Sequence, residues 1–151
     1  MLEIYVDADA CPVKDEIYRV AGRYGLKTWV VTNGWLRVPD AELITRVVVS
    51  EGLDRADDWI AQRIGEGDIA ITADVPLADR CVKRGARVIA PSGRPFTEDS
   101  IGADLATRNL LTSLREAGEI AGGGRPFTRQ DRLHFLNTLD AAIRAIRRTG
   151  R

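Results

Sequence analysis

Apolar positions along the chain follow two alternating patterns. Five short and nearly uninterrupted apolar segments occur in the first 91 residues, at 2–8, 27–32, 45–50, 68–73 and 86–91. In the segments between them, apolar residues recur every three or four positions, as on one face of a helix. Apolar strands separated by helices are typical of a parallel sheet covered on both faces. The pattern therefore predicts a three-layer α/β/α fold with a mainly parallel five-stranded sheet.

Residues that favour helix ends support three helices in this alternating region. Pro12 is suited to the first position of a helix, and Gly25 is suited to end the same helix. Asp54 is suited to cap the helix after the third strand, because its carboxylate can accept hydrogen bonds from free backbone N–H groups. The predicted helices span residues 12–25, 54–67 and 74–85.

The pattern changes after the fifth apolar segment. A long helix is predicted over 97–118, with Thr97 as its cap, and a final helix over 128–148. Thr128 and Asp131 have the spacing of a capping box at the start of the final helix. This helix also carries an apolar stripe that must pack on the body of the domain or on a partner, and its members are Leu133, Leu136, Leu139, Ile143 and Ile146.

Length and composition indicate one domain, residues 1–151, in which 118–151 form a glycine-rich link and a basic amphipathic helix packed on or near the body. No apolar run is long enough to span a bilayer, and the N-terminus does not resemble a signal peptide. Two cysteines and one histidine, without the spacing of a metal motif, argue against a zinc site. We therefore expect a cytoplasmic protein that does not bind membranes.

Charge is distributed unevenly although the formal net charge is zero. The segment from Arg125 onward has seven arginines and two acids, whereas the first 124 residues have 15 basic and 20 acidic residues. A basic tail on an acidic body can bring a polyanion to an acidic site, and a solvated basic helix is the alternative interpretation.

Acidic residues follow several of the predicted strands. Asp7 and Asp9 come after the first strand, Asp54 and Asp57 after the third, and Asp74 after the fourth. Ligands of open parallel sheets bind beyond the carboxyl ends of the strands. Carboxylates are also favoured at helix N-termini without any ligand. Because Asp7 and Asp74 follow apolar strands, we expect them close together in a poorly solvated cleft, where they need a cation or raised pKa values. Oxygen ligands favour Mg²⁺ or Mn²⁺.

Other polar residues near these acids are candidates for supporting roles. Thr72 can donate a hydrogen bond to a carboxylate or a bound water, and Asn33 can face the same cleft from the second strand. Lys14 can neutralise part of the cluster, contact a phosphate, or remain solvated. Cys11 is interpreted as a packed residue, because Ile17 occupies the position where a cysteine phosphatase loop has arginine.

Six segments of this sequence, in this order and spacing, resemble the YaiI/YqxD family of bacterial proteins. They are "VDADACPVK", "LRVP", "DRADDWI", "GDIAITADVPLAD", "GGGRPFT" and "RQDRLHFLNTLD". That family looks like a branch of the PIN-like nuclease superfamily. The resemblance implies a parallel sheet of order 3-2-1-4-5, in which the first and fourth strands are neighbours.

The same resemblance implies metal-dependent hydrolysis of phosphodiester bonds, with RNA favoured over DNA. Asp7 and Asp74 would be direct ligands of Mg²⁺ or Mn²⁺, and Asp9 and Asp57 would bind it directly or through water. Asp54 and the "T-x-D" turn from Thr72 support this assignment. A further acid that PIN-like nucleases carry beyond that turn has no clear counterpart in this chain.

Two alternatives remain open at this point. The acids in "DAD" also resemble the nucleophile and the acid/base of haloacid-dehalogenase-like phosphatases, although Cys11 stands where that family has Thr or Val. The third interpretation is a non-catalytic PIN-like protein that binds nucleic acid. For either nucleic-acid function, Arg125, Arg129 and Arg132 are the predicted phosphate contacts, because they lie at the link and the start of the final helix.

Overall fold

The computed structural model describes residues 1–9, 11–50, 55–116 and 126–149. Six strands and five helices lie in these ranges. In chain order they are β1 (Ile4–Asp7), α1 (Lys14–Tyr24), β2 (Thr28–Thr32), β3 (Ile44–Val48), α2 (Arg55–Arg63), β4 (Ile69–Ile71), α3 (Val75–Lys83), β5 (Arg87–Ile89), β6 (Pro95–Phe96), α4 (Glu98–Glu116) and α5 (Arg129–Thr149).

The strands form one sheet in the order β3-β2-β1-β4-β5-β6. The first five are parallel, and Ile4 of β1 lies opposite Thr28 of β2 on one side and Ile69 of β4 on the other. This confirms the expected parallel sheet and its order. The additional strand β6 pairs antiparallel with β5 over two residues. It was not predicted, because two residues that include a proline carry no strand pattern and proline is tolerated only at a sheet edge.

Helices cover both faces of the sheet, as predicted for three layers. Successive side chains of a strand point to opposite faces. In β1, Ile4 and Val6 accordingly join a core with α1 and α5, whereas Tyr5 joins a second core with α2, α3 and the start of α4. The sheet is therefore buried on both faces, which explains why its strands read as apolar segments without alternation.

The predicted final helix is present as α5, but its buried face differs from the predicted stripe. Leu139, Ile143 and Ile146 are buried, and Leu136 packs partly against the core. Leu133, another member of the predicted stripe, is 52% exposed and so does not pack on the body of the domain. The face that packs is rotated toward Phe135, which is fully buried. The capping box is confirmed, since Thr128 N donates to Asp131 Oδ2 (2.9 Å) and Asp131 N donates to Thr128 Oγ1 (3.1 Å).

The other helix ends were predicted with mixed success. Gly25 ends α1 with a left-handed conformation (φ 66°), as expected. Pro12 is not the first residue of α1. The chain first forms a turn in which Cys11 N donates a hydrogen bond to Ala8 O (3.2 Å), and the helix begins at Lys14. Thr97 caps α4 by accepting from Ser100 N (3.1 Å). The predicted cap Asp54 and the link residues 118–125 lie outside the described residues.

Within the described part of the chain, none of the helices combines the length and apolarity required to cross a bilayer.

Candidate functional site

The carboxyl ends of β1 and β4 bring Asp7 and Asp74 together through Thr72. Asp7 is the last residue of β1, and Thr72 directly follows the neighbouring strand β4. The buried Thr72 hydroxyl donates to Asp7 Oδ2 (2.7 Å) and accepts from the backbone N of Asp74 (3.0 Å). Thr72 N donates to Ile89 O (3.2 Å), which fixes this turn against β5. The predicted role of Thr72 as a hydrogen-bond donor to a carboxylate is therefore observed.

Asp74 is also the N-cap of α3. Its Oδ1 accepts from Leu77 N (3.0 Å), and its backbone is extended, as is usual for a cap. Its Oδ2 accepts no hydrogen bond from the described residues, and the same holds for Oδ1 of Asp7. Each carboxylate thus has one oxygen fixed by the protein and one available to a ligand.

Asp9 is held at the end of β2 by both of its oxygens. Thr32 Oγ1 donates to Asp9 Oδ1 (2.6 Å), and the backbone N of Asn33 donates to Asp9 Oδ2 (3.0 Å). Asn33 was predicted to face the site and does so through its backbone. Thr32 was missed by sequence reasoning. The signal that could have identified Thr32 is its position. It is a hydroxyl residue at the carboxyl end of β2, next to β1, from which it can reach the acids that follow β1.

The three carboxylates share one electrostatic environment. Burial raises the pKa of Asp7, and the negative charges of Asp74 and Asp9 raise it further, while the hydrogen bond from Thr72 lowers it. Thr72 joins Asp7 to Asp74, and Asp9 follows Asp7 by two residues, so the three negative charges lie near one another. A positive charge placed here would offset both the cost of burial and the repulsion between the acids.

Lys14 and Cys11 have structural roles in the turn after β1. Lys14 Nζ donates to Cys11 O (2.7 Å) and approaches Ala8 O (3.5 Å), so its ammonium group binds the backbone of the turn. Cys11 is buried in the core that includes α1, which confirms that it packs. Burial raises the pKa of its thiol, so the thiolate needed for a nucleophile is disfavoured.

The acids of α2, Asp57 and Asp58, lie in its first turn. Asp57 is part-buried there. Burial raises the pKa of the Cys81 thiol to about 12, and the negative charges of Asp57 and Asp7 add to this effect. Asp58 turns away and pairs with Arg80 (2.8 Å). Asp54 lies outside the described residues.

The fit of a metal ion can be judged from these positions. No group of three or more His, Cys, Asp or Glu side chains in the described ranges is close enough to hold a metal ion. Mg²⁺ is often bound by one or two carboxylates, with waters and substrate phosphates completing its shell. The free oxygens of Asp7 and Asp74 match that smaller ligand set, whereas the two oxygens of Asp9 are already engaged.

The predicted arginines differ in their surroundings. Arg132 Nη1 donates to Pro12 O (2.6 Å) and Glu16 Oε1 (3.1 Å), and its guanidinium lies 5.2 Å from the ring of Phe127. Arg132 therefore joins the start of α5 to the start of α1, near the turn that carries Asp9. Arg129 is exposed at the first position of α5, and Arg125 lies outside the described residues.

The remaining arginines of α5 lie at its other end. Arg144 pairs with Asp140 (3.0 Å), and Arg147 lies over the ring of Tyr24 at the end of α1. Arg144 and Arg147 follow Arg132 by about 18 and 22 Å along the helix axis, so they lie far from a phosphate bound at the carboxylates.

Comparison with known proteins identifies relatives along almost the whole chain. The model of a family described as "Uncharacterized BCR, YaiI/YqxD family" matches residues 5–145. A UPF0178 protein of Nitrobacter winogradskyi is 63% identical over 147 residues, which cover 97% of this chain and 94% of the relative. UPF0178 proteins of Bradyrhizobium sp. (strain ORS 278) and Rhodopseudomonas palustris (strain BisB18) are 62% and 60% identical, covering 97% and 98% of this chain and 90% and 96% of theirs.

No solved structure matches this chain. The family match and the identities across nearly the full length agree with the resemblance carried by the six sequence segments. The chain belongs to the YaiI/YqxD family.

Proposed function

We propose that this protein is a PIN-like, metal-dependent hydrolase that cleaves phosphodiester bonds in nucleic acid in the cytoplasm, with RNA favoured over DNA. The observation that carries the proposal is the Thr72 bridge, which joins Asp7 at the end of β1 to Asp74 at the start of α3. Among the described residues, no group donates a hydrogen bond to the second oxygen of either carboxylate. Clefts at the carboxyl edge of parallel sheets are the usual place for such chemistry.

The residues have distinct roles in this proposal. Asp7 and Asp74 would hold Mg²⁺ or Mn²⁺, which when bound activates water and stabilises charge on the leaving oxygen. Thr72 keeps the Asp7 carboxylate in position. Asp9, fixed by Thr32 and Asn33, would bind water molecules of the metal shell.

The remaining predicted residues would complete the site. Asp57 would bind the ion directly or through water, and Asp54 would support it. Lys14 maintains the turn after β1. Arg125, Arg129 and Arg132 would bind phosphates of the substrate strand, with Arg132 already anchored beside the turn.

The test has two arms, on wild type, Asp7→Asn and Asp74→Asn, with Asp40→Asn as an exposed control. Mn²⁺ at about 100 times its Kd should stabilise the wild type and the control by about 2.7 kcal/mol, which is roughly 5–10 °C in Tm for a chain of this size. The two site variants should lose this shift. Mn²⁺-dependent cleavage of a fluorescent single-stranded RNA should be lost in the same variants. Asn retains the ability to cap α3, so Asp74→Asn tests the ligand and not the helix.

The outcome also separates the alternatives. Equal Mn²⁺ shifts in all four proteins would contradict the metal site. RNA binding without cleavage would indicate the non-catalytic protein. Release of phosphate from a phosphomonoester, lost in Asp7→Asn while RNA stays intact, would indicate phosphatase chemistry instead.

A further inference from the structure

Trp35 is an exposed aromatic residue beside the carboxylate site. It is 79% exposed and follows the segment that binds Asp9. We propose that Trp35, backed by Arg46, is a stacking subsite for an unpaired nucleobase of a strand whose phosphate lies at the carboxylates. The inference rests on the proposed function for the chemistry at the carboxylates. It adds a second subsite, outside the carboxylates, that binds a base of the substrate.

The other tryptophans show what a packed indole looks like in this fold. The rings of Trp29 and Trp59 lie 5.6 Å apart, and both pack against Tyr5 at 6.5 and 6.2 Å. Trp35 has no such aromatic neighbours among the described residues. Trp35 is therefore not part of the aromatic cluster of Tyr5, Trp29 and Trp59. Its large ring is exposed to water and is available for a ligand.

Arg46 supports one face of the Trp35 ring. Its guanidinium carbon lies 5.9 Å from the ring centroid, and its Nη1 donates to Leu36 O (2.9 Å), which fixes the side chain beside the ring. With Arg46 on one side and most of the residue exposed, the opposite face is open to a flat ligand.

The segment that carries Trp35 is attached to the site by hydrogen bonds. Asn33 N donates to Asp9 (3.0 Å), and Gly34 N donates to the Thr32 hydroxyl that also contacts Asp9. Two residues of chain span at most about 7 Å, so Trp35 lies within that distance of the Asn33 anchor along the backbone. A base stacked on Trp35 can therefore belong to a nucleotide adjacent to the one at the carboxylates.

The expected ligand is single-stranded nucleic acid. Only an unpaired base exposes its face to an indole, and stacking of this kind tolerates any base. The exposed Arg37 adds a second positive charge to the same loop, which favours a phosphate-bearing strand over a neutral aromatic molecule.

The test measures binding in EDTA, so that it depends on neither metal nor cleavage. Two fluorescent probes of equal length and charge are compared: an oligouridine and the same strand with abasic ribose at every position. Wild type should bind the oligouridine more tightly. Trp35→Ala should weaken oligouridine binding by roughly 5- to 30-fold and leave abasic binding unchanged.

Two further variants make the result specific. Trp35→Phe retains a stacking ring and should keep most of the preference. Leu43→Ala removes a 41% exposed apolar side chain from the same loop between β2 and β3 and should change neither affinity. Thermal unfolding verifies that each variant is folded.

Wild type that binds both probes equally, or Trp35→Ala that matches wild type on oligouridine, would overturn the subsite and leave Trp35 as a residue for contact with proteins. Because no metal is present, a positive result can coexist with a failed cleavage assay. Conversely, cleavage that is retained beside a negative stacking result would leave the proposed function intact.

Discussion

At the scale of single residues, the arrangement around Asp7 opposes folding. Its pKa is raised by burial and by the charges of Asp74 and Asp9, so the folded protein holds the proton of this carboxyl more tightly than the unfolded chain does. At a pH above the raised pKa, the Asp7 carboxylate is ionised in both states, and its charge destabilises the folded one. A chain would retain such a residue where the charge serves binding or catalysis.

Asp7→Asn should therefore raise Tm at pH 7 in metal-free buffer. The amide oxygen can still accept the hydrogen bond from Thr72, while the buried charge is removed. Each tenfold difference in proton affinity between the folded and unfolded states is worth about 1.4 kcal/mol, or roughly 3–5 °C for this chain length. The measurement is thermal unfolding of wild type and variant across pH.

The gain should be largest above the raised pKa of Asp7 and should disappear as the pH falls below 3.8, its ordinary value, because the wild-type carboxyl is then protonated in both states. Asp40→Asn, at an exposed position, should show no such gain. A loss of stability at pH 7 in Asp7→Asn would show that the charge is compensated by the fold.

At the scale of elements, α5 depends on close contact with the loop before β6. Gly93 has φ +92°, and a Cβ at this position would lie 2.7 Å from His134 Nδ1 and 2.9 Å from the His134 backbone carbon. The same histidine Nδ1 is 3.0 Å from Ser92 O. Glycine is thus required here both for its backbone conformation and for the approach of the helix.

Gly93→Ala should destabilise the protein by more than about 1 kcal/mol, because alanine is strained at positive φ and its methyl group displaces the backbone of α5. The matched control is Gly22→Ala in α1, where nothing lies within 4 Å of a new Cβ. Alanine favours a helix over glycine, so this control should gain about 0.5–1 kcal/mol. Urea unfolding of both variants measures the difference, and equal effects would show that Gly93 is not in contact with α5.

At the scale of the whole molecule, the basic tail is divided between two ends of α5. Arg132 lies near the turn that carries Asp9, whereas Arg144 and Arg147 lie beside Asp140 and Tyr24. The net charge of the C-terminal segment therefore does not tell how many of its arginines can contact one phosphate backbone. Among the described arginines of α5, Arg129 and Arg132 at its start are the ones placed to offset the repulsion of a strand by the acidic site.

Changing Arg125, Arg129 and Arg132 together to Gln should weaken binding of single-stranded RNA and make the slope of log K against log salt shallower by up to about 2, since each phosphate contact on a single strand contributes about 0.7. The control with the same charge change is Arg144, Arg147 and Arg148 to Gln, which should leave the slope nearly unchanged. Salt titrations in Mn²⁺ measure both.

Arg132→Gln also removes the ion pair of Glu16, so thermal unfolding must accompany this titration. Equal slopes for the two triple variants would remove the start of α5 from RNA binding and return it to a solvated basic face.

The sequence by itself determined the features that depend on neighbours along the chain. Apolar strands between amphipathic helices specified the parallel sheet, because both faces of each strand had to be buried. Gly25 as a helix end and Thr128 with Asp131 as a capping box are decided within a single turn of chain. The meeting of Asp7 and Asp74 is not a local feature of this kind. It was expected because each follows an apolar strand predicted to be central, and because the family resemblance implied that these two strands are neighbours.

Only the tertiary structure decided the contacts between distant segments. Arg132 pairs with Glu16 across 116 positions, and Thr32 reaches Asp9 across 23, which no local pattern encodes. Phe135 is buried in place of Leu133 because the angle at which α5 packs on α1 and the sheet selects one stripe among several that the sequence allows. Trp35 is exposed while Trp29 and Trp59 pack together, although all three are the same residue type. The physical reason is that burial and pairing depend on the register and packing of whole elements, whereas periodicity and caps depend on the backbone geometry of a few adjacent residues.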